Sequence, residues 1–307
     1  MGNTVVIGTT FVDLKGFPYH QYDPQGRNPG EVKIVQGGVG RNVAENFANV
    51  GMPVSYVGLL EDSAFGRDVE RHLYEIGVNM DYVLKVPENG IGMWLAILDE
   101  KGDLAGSISK VPDLSYLESF LVQKGDEIIS AAGSVVLEMD LNENIADMVV
   151  GLAEKHNKHI YAIVGNMSVV LARKDLIRRT DCFICNAIEA AKFFANAAAA
   201  GYTTQQMLGF LPGAAKESGI SSMVVTMGER GSVYYDEPAG ASGICQICPT
   251  EVVDTSGAGD AFFSGTVMGL IRGNPLSEAV QYGARLASAT ISREETCCPV
   301  DRDFFDR

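Results

Sequence analysis

Short apolar runs alternate with amphipathic stretches along most of the chain, and that alternation predicts a mainly parallel sheet covered by helices. Asn3–Gly8 reads as a buried first strand and Val54–Gly58 as another; Ser134–Leu137, Ile160–Val164, Cys182–Cys185 and Met223–Met227 are further strand candidates, each followed by a loop or a helix start. Val39–Val50 puts Val43, Phe47 and Val50 on one face of a helix, and Gly66–Ile76 is a helix stopped by Gly77. The last two helices, Ala258–Ile271 and Leu276–Ile291, are separated by Arg272-Gly-Asn-Pro275, a stop followed by a start.

Two regions break this rhythm. Ile91–Leu98 and Leu104–Ser109 flank Asp99-Glu-Lys-Gly-Asp103, a hairpin signal, while Asp13–Gln36 is polar, rich in Gly and Pro, and ends in the run Val32–Val35. Together they predict a small β-sheet standing off the main body as a lid, with segments at about 13–36 and 91–109, inserted in a single domain spanning 1–307. No internal repeat is evident.

Composition narrows the class. The chain has 307 residues, 46% hydrophobic and 21% charged, ordinary for a globular domain with a sizeable core. A net charge of −15 argues against a nucleic-acid or anionic-membrane surface. The start, MGNTVVIGTTFVDL, has no basic region and reads as a strand, and no apolar run approaches the ~18–20 residues needed to span a bilayer, so a cytoplasmic location is expected. The six cysteines form two C-x-x-C pairs, Cys182–Cys185 and Cys245–Cys248, plus Cys297-Cys298. Two such pairs suit halves of a zinc site, but the long spacing and the apolar β-type surroundings favour cysteines that simply pack.

The loop Glu251-Val-Val-Asp-Thr-Ser-Gly-Ala-Gly-Asp-Ala-Phe-Phe-Ser-Gly265 carries the clearest chemistry. An apolar strand or turn ends at Asp254, and a helix begins near Ala258 after two glycines. The first N–H groups of such a helix lack internal partners and sit at the positive end of its dipole, which makes an anion site from backbone. It is neither a P-loop nor a dinucleotide fingerprint, because Phe262 stands where the third glycine would be. Asp260 in the first turn is either a helix-stabilising acid or a general base beside an anion hole.

Three further stretches resemble ligand-facing turns. Gln36-Gly-Gly-Val-Gly-Arg-Asn42 opens a helix with three glycines, followed by Arg41 and Asn42, which suits a polyhydroxylated ligand or simply a tight loop. Asn186-Ala-Ile-Glu189 suits a hydrated Mg²⁺ or a phosphate, and equally an N-cap with its N3 partner. Thr226-Met-Gly-Glu-Arg-Gly231 follows a strand and suits a nucleotide-facing turn.

In this order the four motifs resemble the ribokinase-like (PfkB) carbohydrate and nucleoside kinases, from Val5 to about Pro299. Asp254-Thr-Ser-Gly-Ala-Gly-Asp260 is similar to that family's C-terminal signature, and Gly37-Gly38 through Asn42 and Ala44 to its N-terminal one. The resemblance implies a three-layer α/β/α domain with a mainly parallel central sheet and a small β-lid. It implies Asp260 as catalytic base, with the backbone of Gly257, Ala258 and Gly259 as anion hole. Asp13, Gly37, Gly38 and Asn42 would hold substrate; Asn186, Glu189, Thr226 and Gly228 would serve ATP and its Mg²⁺, Glu189 through water. Related kinases can bind a monovalent cation such as K⁺ beside the anion-hole loop, with Asp254 and Ser288 as the contributors expected here. So sparse a set suffices, because phosphoryl transfer demands mainly positioning and charge neutralisation.

Within the family, Asn28-Pro-Gly30, the Gly37–Asn42 stretch, Asp140-Leu-Asn142, and Ser292 and Thr296 ahead of Pro299 look most like pseudouridine kinases. Gly165-Asn-Met-Ser168 and Lys110-Val-Pro-Asp113 depart from that pattern. Lys110 near the substrate mouth fits an acidic sugar, or is a solvated lysine. The leading substrate is therefore pseudouridine or a related nucleoside. The alternatives are a free sugar or keto-deoxy sugar acid, or a non-catalytic ligand-binding protein of the same fold. A homodimer through the lid is expected from its apolar Ile91, Met93 and Leu95.

Overall fold

The computed structural model describes residues 2–100, 103–300 and 304–305. Thirteen strands are numbered along the chain: β1 (Thr4–Ile7), β2 (Phe11–Pro18), β3 (Gly30–Gly37), β4 (Val54–Glu61), β5 (Asn79–Val86), β6 (Gly92–Leu98), β7 (Leu104–Lys110), β8 (Ser134–Glu138), β9 (His159–Ile163), β10 (Cys182–Asn186), β11 (Ser222–Thr226), β12 (Ser232–Asp236) and β13 (Ala241–Cys245). Nine form one sheet in the order β13-β12-β11-β10-β9-β8-β1-β4-β5. Its pairs are parallel except for the antiparallel hairpin β12–β13 and its junction with β11.

Alternate residues of the central strands feed two cores, as the period of two requires. Val5, Ile7, Val135, Leu137, Phe183 and Val225 pack beneath one set of helices, among them Ser115–Ala131 and Glu143–Lys155. Val6, Tyr56, Val136, Tyr161, Ile184 and Val224 pack on the other face, against Val39–Asn49, Ala258–Ile271 and Leu276–Ile291. The expected α/β/α architecture is the one observed.

The period of two also disposes of the first C-x-x-C pair. Three residues apart on β10, Cys182 and Cys185 fall on opposite faces of the sheet and enter different cores. All six cysteines are free. Among the described residues no group of three or more His, Cys, Asp and Glu could hold a metal ion.

Four strands form the lid, in the order β3-β2-β6-β7. The hairpin expected around Asp99–Asp103 is present, with Asp103 N–H donating to Asp99 Oδ1 at 2.9 Å; Lys101 and Gly102 within it lie outside the described residues. The polar segment from Asp13, expected as part of the lid, is a strand at both ends, β2 and β3, joined by a turn in which Asn28 bonds Asp23.

Three strands escape the periodicity reading. β5 is an edge strand that exposes Asn79 and Asp81, and β12–β13 is a half-exposed hairpin. Conversely, Val252–Asp254, read as a strand or turn, is irregular, and Val252 and Val253 are exposed. Among the described residues no helix is long and apolar enough to cross a membrane.

Candidate active site

The candidate residues gather along the C-terminal ends of the parallel strands, where an open α/β sheet places its ligands. β1 ends at Ile7, the chain crosses into the lid as β2, and returns as β3 straight into the Val39–Asn49 helix. Gly38 makes that entry at φ 101°, and a Cβ there would lie 2.5 Å from the Thr9 carbonyl, so only glycine fits. A Cβ at Gly37 would lie 2.8 Å from Asp13 Oδ2, which places the Asp13 carboxylate directly over this turn. Burial raises Asp13 above the usual carboxylate range, against the opposing charges of Lys15 and Arg41.

From the other end of the chain comes the Ala258–Ile271 helix. Its N-cap, Gly257, is left-handed at φ 76°, and a Cβ there would lie 2.1 Å from the carbonyl oxygen of Thr296. No side chain caps this helix start, whereas at the Gly38 start Gly40 N–H donates to Glu138 and Arg41 N–H to the Thr9 carbonyl. Two helices thus bring their positive ends toward one place, with free N–H groups offered by the Gly257 start.

Asp260 and Asn42 join the two starts. Asn42 Nδ2 donates to Asp260 Oδ2 at 2.6 Å. The amide is aimed by Arg41, whose guanidinium donates to Asn42 Oδ1 at 2.5 Å and to Thr296 Oγ1 at 3.1 Å. Arg41 is buried and pairs with Glu45 at 2.5 Å, and Glu45 accepts His72 Nε2 at 3.0 Å. A polar chain therefore runs from half-exposed His72 through Glu45, Arg41 and Asn42 to Asp260. Burial pushes the Asp260 carboxyl up to about 7; Asn42 and Arg41 pull it down, and the charge of Glu138 adds to the rise. An acid poised there can hold or release a proton near neutrality.

Glu138, at the end of β8, is a buried carboxylate, as is Glu45. It accepts Thr9 N–H at 2.7 Å and Gly40 N–H at 3.1 Å, and so ties β8 to the lid hinge and to the first helix start. Desolvation raises its carboxyl against those bonds.

On the far side of Gly257, a cavity of about 450 Å³ is lined by Thr226, Gly228, Cys248, Ala258, Gly259 and Ser288, among others. Thr226 is the register partner of Asn186 on β10. Asn186 and Glu189 form a reciprocal capping box: Asn186 Oδ1 accepts Glu189 N–H at 2.9 Å, and Glu189 Oε2 accepts Asn186 N–H at 2.8 Å. Burial, with help from the charge of Asp140, raises Glu189 against that bond. One of its oxygens is left for a hydrated cation, which fits a Mg²⁺ held mainly by phosphates and water.

Residues 1–302 match the pfkB family of carbohydrate kinases. The chain belongs to that family. It is 32% identical over 295 residues to the guanosine-inosine kinase of Exiguobacterium acetylicum, covering 96% of each chain. It is 24% identical over 295 residues to the pseudouridine kinase of Escherichia coli, covering 96% of this chain and 92% of the relative. Arabidopsis thaliana ribokinase, solved with ribose and ATP, superposes with a TM-score of 0.83 at 21% identity, over 99% of this chain and 97% of that one. The chain is a sugar or nucleoside kinase with the ribokinase-like fold, and kinases of this kind use ATP.

Most of the expected pfkB residues converge: Asn42 with Asp260 by a direct bond, Gly37 and Gly38 with Asp13, and Thr226 and Gly228 with Ala258 and Gly259 around one cavity. Asp254 and Ser288 do not. Asp254 opens toward the lid, where it pairs with Lys15 at 3.2 Å, whereas Ser288 lines the Thr226 cavity and donates to Cys248 O at 3.1 Å. The two side chains face different spaces, although Asp254 N–H reaches the Ile291 carbonyl at 3.4 Å, three residues past Ser288. Sequence reading missed Glu138, Lys15 and the Glu45–His72 end of the polar chain, none of which lies in a recognisable motif.

The ionisation of Asp260 makes a kinetic prediction. A base must be deprotonated, so turnover should rise with pH through a midpoint near 7. Arg41→Met should move that midpoint upward, because Arg41 lowers the Asp260 carboxyl and aims Asn42. A pH–rate profile checks both; a midpoint unmoved in a folded Arg41→Met protein would contradict the assigned chain.

Proposed function

We propose that this kinase transfers the γ-phosphoryl group of ATP to a hydroxyl of a nucleoside, with Asp260 as general base. The observation that carries the reading is the half-buried Asp260 carboxylate, held 2.6 Å from Asn42 at the mouth of an uncapped helix start. The acceptor hydroxyl gives its proton to Asp260 as its oxygen bonds to phosphorus, and the N–H groups of Gly257, Ala258 and Gly259 meet the charge on the transferring phosphate. Asp13, over the Gly37–Gly38 turn, accepts other substrate hydroxyls. The cavity lined by Thr226 and Gly228 takes the nucleotide, with its phosphates at the Gly257 end. Mg²⁺, served through water by Glu189 and Asn186, would neutralise phosphate charge.

Two observations favour a nucleoside over a free sugar. Trp94 on β6 is the register partner of Asp13 and shares its face of the lid, where an aromatic ring beside a hydroxyl-binding acid supplies a stacking surface for a base. The 32%-identical guanosine-inosine kinase points the same way. Guanosine, inosine and pseudouridine are the first acceptors to try. The acidic-sugar alternative is weakened at Lys110, which forms an ion pair with Glu61 at 3.7 Å, and keeps the departure at Gly165–Ser168 as its motive.

Asp260→Asn should slow single-turnover phosphorylation by roughly 10²–10⁴ while ATP still binds. Turnover near that of the wild type would remove Asp260 from the role of base.

The lid also proposes a partner, a second copy of this chain. The cross-strand row Ile34–Leu14–Leu95–Ile108 lies on the lid face opposite Asp13 and Trp94. Ile34, Leu95 and Ile108 are 57%, 42% and 70% exposed, more contiguous apolar surface than a lone lid would be expected to show water. Light scattering should give a dimer of the 32.9 kDa chain, and Ile108→Lys a monomer. A monomeric wild-type protein at micromolar concentration would end this proposal.

A further inference from the structure

The turn Asp254-Thr-Ser256 leads into the anion hole at Gly257, and it carries a negative charge where phosphate must be welcomed. That charge has an internal counter-ion from another part of the fold. Lys15, on lid strand β2, reaches across so that its Nζ lies 3.2 Å from Asp254 Oδ2 and donates to Ser256 Oγ at 2.8 Å. Its side chain is only 9% exposed, while that of Asp254 is 33% exposed, so water reaches the pair from the carboxylate side alone. The other carboxylate oxygen of Asp254 accepts Ser256 N–H at 2.8 Å. Both oxygens are thus spent within the protein.

A monovalent metal ion beside this loop would need Asp254, and the donors present do not suit one. An ammonium already stands on the carboxylate, and Ser288, the other expected ligand, faces the Thr226 cavity. The space on the Asp254 side, about 670 Å³, is lined by Lys15, Lys33, Arg41, His72 and Arg293 as well as by Glu45, Glu294 and Glu295. It is already supplied with side-chain cations.

We propose that Lys15 is the resident cation of this kinase: its ammonium fills the place beside the anion-hole loop that a monovalent metal ion would take, and it arrives on the lid. Asp13 and Lys15 are two apart on β2 and share one face, so a single strand brings the substrate-holding acid and the charge that steadies the Asp254 turn. The inference rests on the proposed role of the Gly257–Gly259 turn, and its test has an arm independent of turnover.

The test compares wild type with Lys15→Met, which keeps the stem and removes the charge. Thermal unfolding is followed in tetramethylammonium, potassium and ammonium chloride at equal ionic strength, beside ATP turnover with guanosine, inosine or pseudouridine. The wild type should be indifferent to the choice of cation in both readouts. Lys15→Met should lose about tenfold or more in turnover in tetramethylammonium, and K⁺ or NH₄⁺ should restore its rate and raise its melting temperature. Adding Asp254→Asn to Lys15→Met should abolish the cation response. A specific K⁺ response in the wild type, or a folded Lys15→Met protein deaf to both cations, overturns the proposal. If Lys15→Met does not fold, the wild-type comparison alone decides. If the wild type consumes ATP with none of the acceptors, the nucleoside-kinase reading fails, and the melting arm still decides for Lys15.

Discussion

The 2.6 Å hydrogen bond from Asn42 to Asp260 joins the starts of two helices that are 218 residues apart in the chain. Everything around it bears on one constraint: a carboxylate must be largely withdrawn from water where negative charge is transferred and still be able to ionise. Burial alone would hold it protonated at neutral pH. The donated amide and the nearby guanidinium offset that cost, and the uncapped helix start at Gly257 adds to the positive field. Removing any of these would leave either a neutral acid or a charge without a partner.

Arg41 is where this local balance meets the wider fold. It is fully desolvated, and a buried charge persists only when paired and hydrogen-bonded. Glu45 supplies the pair, the Gln36 carbonyl and Thr296 hydroxyl take further donors, and Asn42 takes the one that matters for chemistry. The 292–297 segment is thereby fastened behind both the lid hinge and the anion hole. Glu138 does the same from β8, accepting N–H groups from Thr9 and Gly40. The lid is then not an appendage, since β2 begins and β3 ends at these two anchored turns.

The elements that were legible in the sequence are those with a single buried face or a decisive stop. Ala258–Ile271 and Leu276–Ile291 have the boundaries read from Gly257 and from Arg272-Gly-Asn-Pro275. Other strands gave less signal: β5 does alternate, at Met80, Tyr82, Leu84 and Val86, but its polar partners Asn79, Asp81 and Lys85 dilute the apolar run, and β2 lies in a polar segment because Asp13 and Lys15 are inward residues of a site, not of a core. Of the site, the backbone features were legible because glycine and a helix start announce themselves. The electrostatic partners were not. Glu138 ends an apolar strand like any other, and nothing local to Lys15 indicates that it meets Asp254, 239 residues away. At Asn186–Glu189 both readings hold together, since a capping box leaves one carboxylate oxygen unspent.

The central claim is spatial: the acceptor hydroxyl meets Asp260 while the transferring phosphoryl group meets the Gly257–Gly259 backbone. A crystal structure with a nucleoside, Mg-ADP and a fluoroaluminate mimic of the phosphoryl group tests it most directly. The account requires the acceptor hydroxyl within hydrogen-bond distance of the Asp260 carboxylate, and the fluorines against the N–H groups of Ala258 and Gly259. A mimic bound away from that helix start, or a hydroxyl turned to another residue with Asp260 still bonded to Asn42 alone, would contradict it.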